Sequence, residues 1–255
     1  MDFNLIKEFT KRDFTERFSG SVLGLLWSFI WPLVNICIYI IIFSKIMGAK
    51  LPGMSSTYSY SIYLVSGLVP WIAFSNTVSR ASTVFVDKKY IITKVRISLP
   101  SLPLYIVMSE SITFLITLII FIVFLIFSGN QLNTTIVLLP FVYLLQQIFA
   151  YSLGFFCAIL NVFIRDIKEM IGVIIQLWFW FTPIVYVIDI LPELVKDYFV
   201  FNPACLFIGA YHDIFVFGHA PNFNHLIILT LLSHMILAFA YVMYKKLEKD
   251  IRDFV

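Results

Sequence analysis

The chain has 255 residues, 60% of them apolar and 13% charged, against about 25% charge in an average soluble domain, and its mean hydropathy is +0.93. This composition excludes an ordinary water-soluble enzyme, and six helical spans of about 20 residues each leave no room for a separate soluble domain. The net charge of +3, from 18 Lys and Arg against 15 Asp and Glu, is too small to argue for nucleic acid, and the basic residues sit in clusters whose positions matter more than their sum.

Met1 to Arg17 carries four acids and four bases ahead of the first apolar run. That is unlike a signal peptide, so the first span is expected to stay in the mature chain. Within 1–20, residues Asn4 to Phe18 mix charge with Leu5, Ile6, Phe9, Phe14 and Phe18, which predicts a cytoplasmic amphipathic helix at the interface. At about 100° per residue, Leu5, Ile6 and Phe9 share one side while Phe14 and Phe18 fall nearly opposite. One set is then left for protein. The uncharged run after Arg17 predicts a first span over 22–43, opened by a Gly20/Gly24 pair spaced for close helix approach.

After the turn-rich Pro52-Gly53-Met54-Ser55-Ser56, the second span is expected over 60–84, with Arg80 inside it. The charged stretch Asp87 to Arg96 and the breakers Pro100 and Pro103 make 85–101 a cytoplasmic loop, dense in both charge signs as suits coupling to a soluble subunit. The third span is expected over 104–127, with Glu110 embedded. Ser128-Gly129-Asn130 reads as a turn, and the uncharged run from Ser111 to Ile164 is long enough for two helices folded back on each other, placing the fourth span over 136–163. Spans five and six are expected over 170–188 and 226–244. Between them lies an external excursion, 190–217. Its apolar part, Tyr198 to Tyr211, is interrupted by Asn202-Pro203 and Gly209 and matches a re-entrant or interfacial segment.

Charge placement supports this count. Six spans put the N-terminus, the Asp87 to Arg96 loop, the Arg165 to Glu169 loop and the C-terminus on one side, with fourteen Lys and Arg against three opposite. A seventh span would place Lys245, Lys246, Lys249 and Arg252 outside. By the positive-inside rule both termini are cytoplasmic. The predicted fold class is an all-α integral membrane protein with six transmembrane helices, an N-terminal amphipathic interface helix and a re-entrant segment between helices five and six.

Chemistry-bearing motifs are missing. None of the ten glycines precedes a lysine and no two are spaced as GxG, so a Walker A loop is absent and any ATP hydrolysis, with its ATP and Mg²⁺, is expected on a partner subunit. HExxH, GxSxG and paired aspartates within the spans are absent too. No catalytic, cofactor-binding or metal-ligating residue is predicted. His212, His219, His225 and His234 lack ligand spacing and read as loop polarity. Cys37, Cys157 and Cys205 read as small packing residues.

Polar residues within the spans are more telling, because a charge at membrane depth costs about 2.5 to 3.5 kcal/mol on the insertion scale and is usually paired or faces a cavity. Arg80 and Glu110 are expected to meet between adjacent antiparallel helices, as a structural ion pair first and a gate second. Aromatic residues number 45, and most belong to interfacial belts or the core. A sharper reading makes Trp27, Trp31, Tyr39, Trp71, Phe74, Trp178, Trp180 and Phe181 channel aromatics, along a path where ring faces stack on sugar C–H groups. Pro183 is expected to kink span five beside them.

Several segments in order carry a resemblance: Arg12-Asp13-Phe14 to Arg17-Phe18; Leu23-Gly24-Leu25-Leu26-Trp27 with Trp31-Pro32; Gly67 to Pro70-Trp71; Asn161-Val162-Phe163-Ile164-Arg165-Asp166; Phe181-Thr182-Pro183-Ile184; and Asn202-Pro203. Together they resemble the membrane (permease) subunit of ABC-2-type exporters for lipid-linked polysaccharides, which handle O-antigens, capsules, teichoic acids and S-layer glycans. The resemblance implies a homodimer in the cytoplasmic (inner) membrane with two ATPase subunits, moving a glycan on undecaprenyl diphosphate. It implies ATPase coupling through Lys11, Arg12, Arg17, Arg165, Asp166 and Lys168. It also implies a cytoplasmic gate at Asp87, Lys88, Lys89, Lys94 and Arg96, whose cations suit a diphosphate, and a re-entrant gate at Asn202 and Pro203. The competing readings are an ABC-2 permease for a drug or lipid, a polytopic membrane transferase using Glu110, His225 or His234, and an ATP-independent channel.

Overall fold

A computed structural model describes residues 3–17, 19–54, 56–95, 97–130, 133–188, 192, 196, 199 and 201–254. The described residues form helices and turns with no strand, as suits a chain in lipid, where a helix satisfies its own backbone. In chain order the helices are α1 (Phe3–Glu16), α2 (Trp27–Ile40), α3 (Ser59–Asp87), α4 (Lys89–Lys94), α5 (Leu102–Phe127), α6 (Leu139–Phe163), α7 (Ile167–Trp180), α8 (Pro203–His212) and α9 (Phe223–Phe254). Tighter and wider turns extend several of them. Among the described residues, 5 continuous stretches are long and apolar enough to cross a bilayer: Gly24–Ile46, Ser59–Asp87, Leu99–Phe127, Thr134–Phe163 and Phe223–Phe254.

These stretches fall where spans one to four and six are expected, with displaced ends. The last runs past 244 to Phe254 as a single helix, since no Gly or Pro interrupts the charged segment. The Gly20/Gly24 pair does not form a helix face. Both residues have positive φ, 81° and 49°, and a Cβ added at either meets nothing within 4 Å, so they bend the chain before α2.

The expected fifth span, 170–188, takes a different form. α7 has 14 residues and reaches about 21 Å at 1.5 Å per residue, short of a hydrocarbon core of about 30 Å. It stops because Pro183 lacks an N–H and restricts Thr182. The irregular backbone beyond is satisfied by α3. Tyr63 Oη donates at 3.0 Å to the Pro183 carbonyl and at 3.0 Å to that of Tyr186, and Tyr60 Oη donates to the Val185 carbonyl. Non-helical chain at membrane depth is tolerated where protein groups replace the missing helical bonds.

The two least apolar stretches are the two most buried. α3 is the least apolar of the five stretches and the most deeply buried, whereas the Leu99–Phe127 stretch is the most apolar and largely faces outward. Lipid tails are as apolar as leucine, so a Leu- and Ile-rich helix gains little by leaving them, while a helix carrying hydroxyls gains partners. Ser61 Oγ lies 2.7 Å from Ser44 Oγ, Thr77 Oγ1 donates to Gln147 Oε1 at 3.2 Å, and Gln146 Nε2 donates to the Pro70 carbonyl at 2.9 Å. α6 lies between α3 and α9, while α5, α7 and α8 also pack on α3.

At one end of the bundle Ile6, Ile92, Ile97 and Ile251 join one apolar cluster with Phe85 and Ile159, and the Phe163 and Phe254 rings lie 5.4 Å apart. The four basic segments are thereby gathered at the same end. α1 does not lie freely on lipid. Ile6 and Thr10 are buried, with Leu5 and Phe9 packed beside them, so that side faces protein. Phe14 is half-buried, and Phe18 lies outside the described residues.

A Cβ at Gly154 would sit 2.5 Å from Ala81 Cβ, so α6 and α3 approach as closely as they do only because no side chain intervenes. Gly154→Val is expected to lower the thermal unfolding midpoint in detergent, the overpacking costing about 1–3 kcal/mol. Gly172→Ala, whose added Cβ meets nothing within 4 Å, is expected to leave it unchanged or slightly raised. Tryptophan fluorescence during heating checks both.

Candidate functional site

Glu110, about two turns into α5, is 1% exposed, and a carboxylate so placed needs partners. It has three. Its Oε1 accepts from Arg80 Nη1 of α3 at 2.7 Å and from Arg17 Nη2 at 2.6 Å, and its Oε2 accepts from Asn76 Nδ2 at 3.5 Å. Arg17 also donates to Asp13 Oδ2 at 3.2 Å and Ser109 Oγ at 3.0 Å. Arg80 Nη2 closes the circuit by donating to Asp13 Oδ1, and Ser109 Oγ donates to Asp13 Oδ2 at 2.6 Å. The result is a closed ring of alternating sign, Asp13, Arg17, Glu110, Arg80, with no net charge.

The structure thus brings Arg80 and Glu110 together and adds two residues from α1. Asp13 was not singled out from sequence. Arg17, expected on an outer coupling surface, instead turns inward, because a buried carboxylate is the stronger attraction. The available signal was the four-residue spacing of Asp13 and Arg17, which puts them on one helix face, although nothing local says what that face meets.

Beside the ring lies a groove of about 210 Å³. Trp27, Trp31, Asn35 and Tyr39 form one wall at four-residue intervals along α2, Leu68 and Ile72 of α3 face them, and Thr113, Phe114 and Thr117 of α5 make the floor, with Arg17 and Glu110 also in the lining. Trp27 and Trp31 ring centres are 6.0 Å apart. The groove is apolar with scattered amide and hydroxyl groups, a surface suited to stacking and hydrogen bonding together.

The expected channel aromatics divide into three groups. Trp27, Trp31 and Tyr39 line the groove. Trp71 and Phe74 lie in the core, 5% and 0% exposed. Phe74 packs 5.6 Å from Phe149, 5.1 Å from Phe207 and 5.5 Å from Trp178, and rings enclosed by other rings offer no face to a substrate. Trp178 sits at the edge of that core. Trp180 and Phe181 are exposed at the end of α7.

Asn202 joins two helix ends. As N-cap of α8 its Oδ1 accepts from Ala204 N–H at 3.0 Å and from Trp178 Nε1 at 2.6 Å, while its Nδ2 donates to the Phe181 carbonyl at 2.9 Å. Pro203 occupies the first helical position, where its missing N–H is harmless. In the stretch expected to hold a re-entrant or interfacial segment, Pro203–His212 form α8, continued by a wide turn, Asp213–Phe217, and both pack against α3. Much of 189–200 lies outside the described residues.

The cytoplasmic-gate candidates have separate partners. Asp87 accepts from Thr83 Oγ1 at 2.6 Å, Lys88 Nζ lies 5.6 Å over the Tyr105 ring, and Lys94 Nζ lies 3.9 Å over the Tyr90 ring. Lys89 is exposed, and Arg96 lies outside the described residues. Lys11, Arg12, Arg165, Asp166 and Lys168 are all exposed at this end. The Arg12 guanidinium, 2.6 Å from Glu16, has its pKa raised by that hydrogen bond and charge.

The ABC-2 type transporter family profile matches residues 4–216 of the chain. This chain belongs to the ABC-2 type transporter family. It is 30% identical over 247 residues, 96% of its length and 93% of the relative's, to the O-antigen export system permease protein RfbA of Klebsiella pneumoniae. A second Klebsiella pneumoniae protein of that name is 29% identical over the same shares, and one from Myxococcus xanthus is 27% identical over 98% of this chain and 94% of its own. This ABC-2 chain is a multi-pass membrane protein. The matched residues hold the ring, the groove and the Asn202 bracket, and end before α9.

Removing one charge from a buried cluster strands its partner, so Glu110→Ala is expected to destabilise by about 3–5 kcal/mol. Because the ring is closed, the double exchange Arg80→Glu with Glu110→Arg is expected not to rescue. It sets a carboxylate at 80 against Asp13 and a guanidinium at 110 against Arg17. Inverting all four charges restores every opposite-sign contact and is expected to recover part of the loss, as read from unfolding midpoints of purified variants.

Proposed function

We propose that this chain is the membrane-spanning subunit of an ATP-driven exporter that moves a lipid-linked glycan of the O-antigen kind across the cytoplasmic membrane. It works as a homodimer with two copies of a separate ATPase, which binds ATP and Mg²⁺, and both its termini are cytoplasmic. The observation that carries this reading is the 30% identity to an O-antigen export permease over 96% of the chain. Similarity spread along nearly every helix argues for a shared task rather than a shared motif.

The geometry supports it in four places. The exposed charges of α1 and the Arg165 to Lys168 turn stand at one end of the bundle, as a docking surface for a soluble motor requires. The groove offers Trp27 and Trp31 ring faces with Asn35, Thr113 and Thr117 nearby, the combination that holds sugar rings by stacking and hydroxyl bonding. Lys88, Lys89 and Lys94 lie at the same end as α1, where cations draw the diphosphate of an undecaprenyl-linked substrate towards the entrance. Asn202 and Pro203 start the gate helix on the opposite side, held by Trp178.

Deleting the chain is expected to abolish surface glycan and leave lipid-linked glycan inside the cell. The chain purified with its ATPase is expected to turn over ATP, and the chain alone is expected not to. Nucleotide cleavage by the chain alone, or normal surface glycan after deletion, overturns the reading. Lys88→Gln, Lys89→Gln and Lys94→Gln together are expected to lower export about 10-fold or more, the loss of charge-assisted contacts to a phosphate, as measured by surface glycan per assembled complex.

A further inference from the structure

The ring lies between two bodies. Asp13 and Arg17 belong to α1 and the turn after it, while Arg80 and Glu110 belong to α3 and α5. α1 meets the first membrane-crossing stretch through a bend, because residues 19–23 are not helical and Gly20 has φ 81°. Its exposed face carries Lys7, Glu8, Lys11 and Arg12, and its other face packs on α5 with Ile6 and Thr10 buried, the Thr10 hydroxyl 3.5 Å from the Tyr105 carbonyl and the Phe9 ring 5.7 Å from that of Tyr105.

Each side of this boundary holds one cation and one anion already in contact, Arg17 with Asp13 at 3.2 Å and Arg80 with Glu110 at 2.7 Å. Separating α1 from α3 and α5 therefore breaks two ion pairs and leaves two neutral pairs, stranding no charge. That is what an ionic contact needs if it is to open and close, since parting a buried charge from its only partner is strongly opposed. Arg17 and Glu110 also line the groove, so the separation withdraws a guanidinium from its mouth.

Resting on the exporter reading, the geometry points to a separable latch. Movement of α1 under the ATPase carries Asp13 and Arg17 away as a unit and opens the cytoplasmic end of the groove. Asp13 is the positioning residue. It takes no place in the groove lining, and it neutralises Arg17 so that Arg17 can leave Glu110. A merely structural ion cluster has no such asymmetry, and the two kinds of variant below would act on it in the same direction.

The test reads access to the groove. Thr117→Cys, one turn beyond Thr113, is placed in a chain whose Cys37, Cys157 and Cys205 are replaced by alanine, and a membrane-impermeant maleimide is applied from the cytoplasmic side of vesicles holding the chain with its ATPase. In this parent, ATP is expected to speed labelling about 5-fold or more. Asp13→Asn leaves Arg17 without its own counter-charge, holds it on Glu110, and is expected to abolish the acceleration while ATP turnover continues. Asp13→Asn with Arg17→Gln removes the α1 half of the latch as a neutral unit, and is expected to give fast labelling without ATP. Slow labelling in that double variant, or an undiminished ATP response in Asp13→Asn, overturns the latch. Should Asp13→Asn not assemble, the double variant decides by itself. It needs no nucleotide, so a parent that ignores ATP counts against the exporter reading and not against the latch.

Discussion

A carboxylate with almost no access to water organises one end of this molecule. Glu110 cannot stay charged within the protein unless cations reach it, and the two that do come from different directions, Arg80 from the central helix and Arg17 from the N-terminal segment. Holding both arginines obliges α1, α3 and α5 to converge, and Asp13 and Ser109 complete the hydrogen bonding. The mouth of the groove, the inward turn of Arg17 and the protein-facing side of α1 all follow from that requirement. Buried ion clusters add little stability relative to apolar packing. What this one supplies is a defined junction between an element outside the span bundle and two helices within it.

The remainder of the bundle follows a different rule, set by the solvent. In lipid, apolar side chains have no reason to seek one another, so the central position falls to the helix with most to gain from hydrogen bonds. α3 takes it, with its serines, threonines and tyrosines. The same helix repairs the break at Pro183, because Tyr60 and Tyr63 reach carbonyls that a continued α7 would have satisfied itself. Asn202 then fastens the start of α8 to the end of α7 through Trp178. One end of the molecule is thus fastened by single side chains standing in for helical backbone bonds, while the other adds the charge ring to an apolar cluster.

This division bears on transport. A path for a polar chain through a membrane needs walls that can part, and apolar packing between helices resists continuous deformation. Where α1 and α8 meet the bundle, apolar packing is joined by discrete polar contacts, the charge ring on one and the Asn202 bracket on the other. The charge ring lies at the end where the basic segments gather, and the Asn202 bracket lies beside the exposed aromatic rings of Trp180 and Phe181. Beside the ring, the groove along α2 presents Trp27, Trp31, Asn35 and Tyr39 at four-residue steps.

Much of this was legible in the sequence. Charge-free runs, turn clusters and one-sided Lys and Arg located five long helices, the N-terminal helix and the short apolar segment, since the cost of burying charge in hydrocarbon and the period of a helix act along the chain. Ordered short motifs sufficed for the family. Tertiary structure decided what depends on partners distant in sequence. Arg80 and Glu110 were visible because a charge inside a span demands an explanation, whereas Asp13 and Arg17 sit in a stretch where charge is ordinary, and only the packing of α1 on α5 shows that they complete the ring. Trp71 and Trp31 look alike in sequence, yet one is enclosed in the core and the other faces the groove. The end of α7 at Trp180 likewise required α3 alongside it, because an interrupted helix persists in a membrane only where a neighbour supplies the hydrogen bonds it has lost.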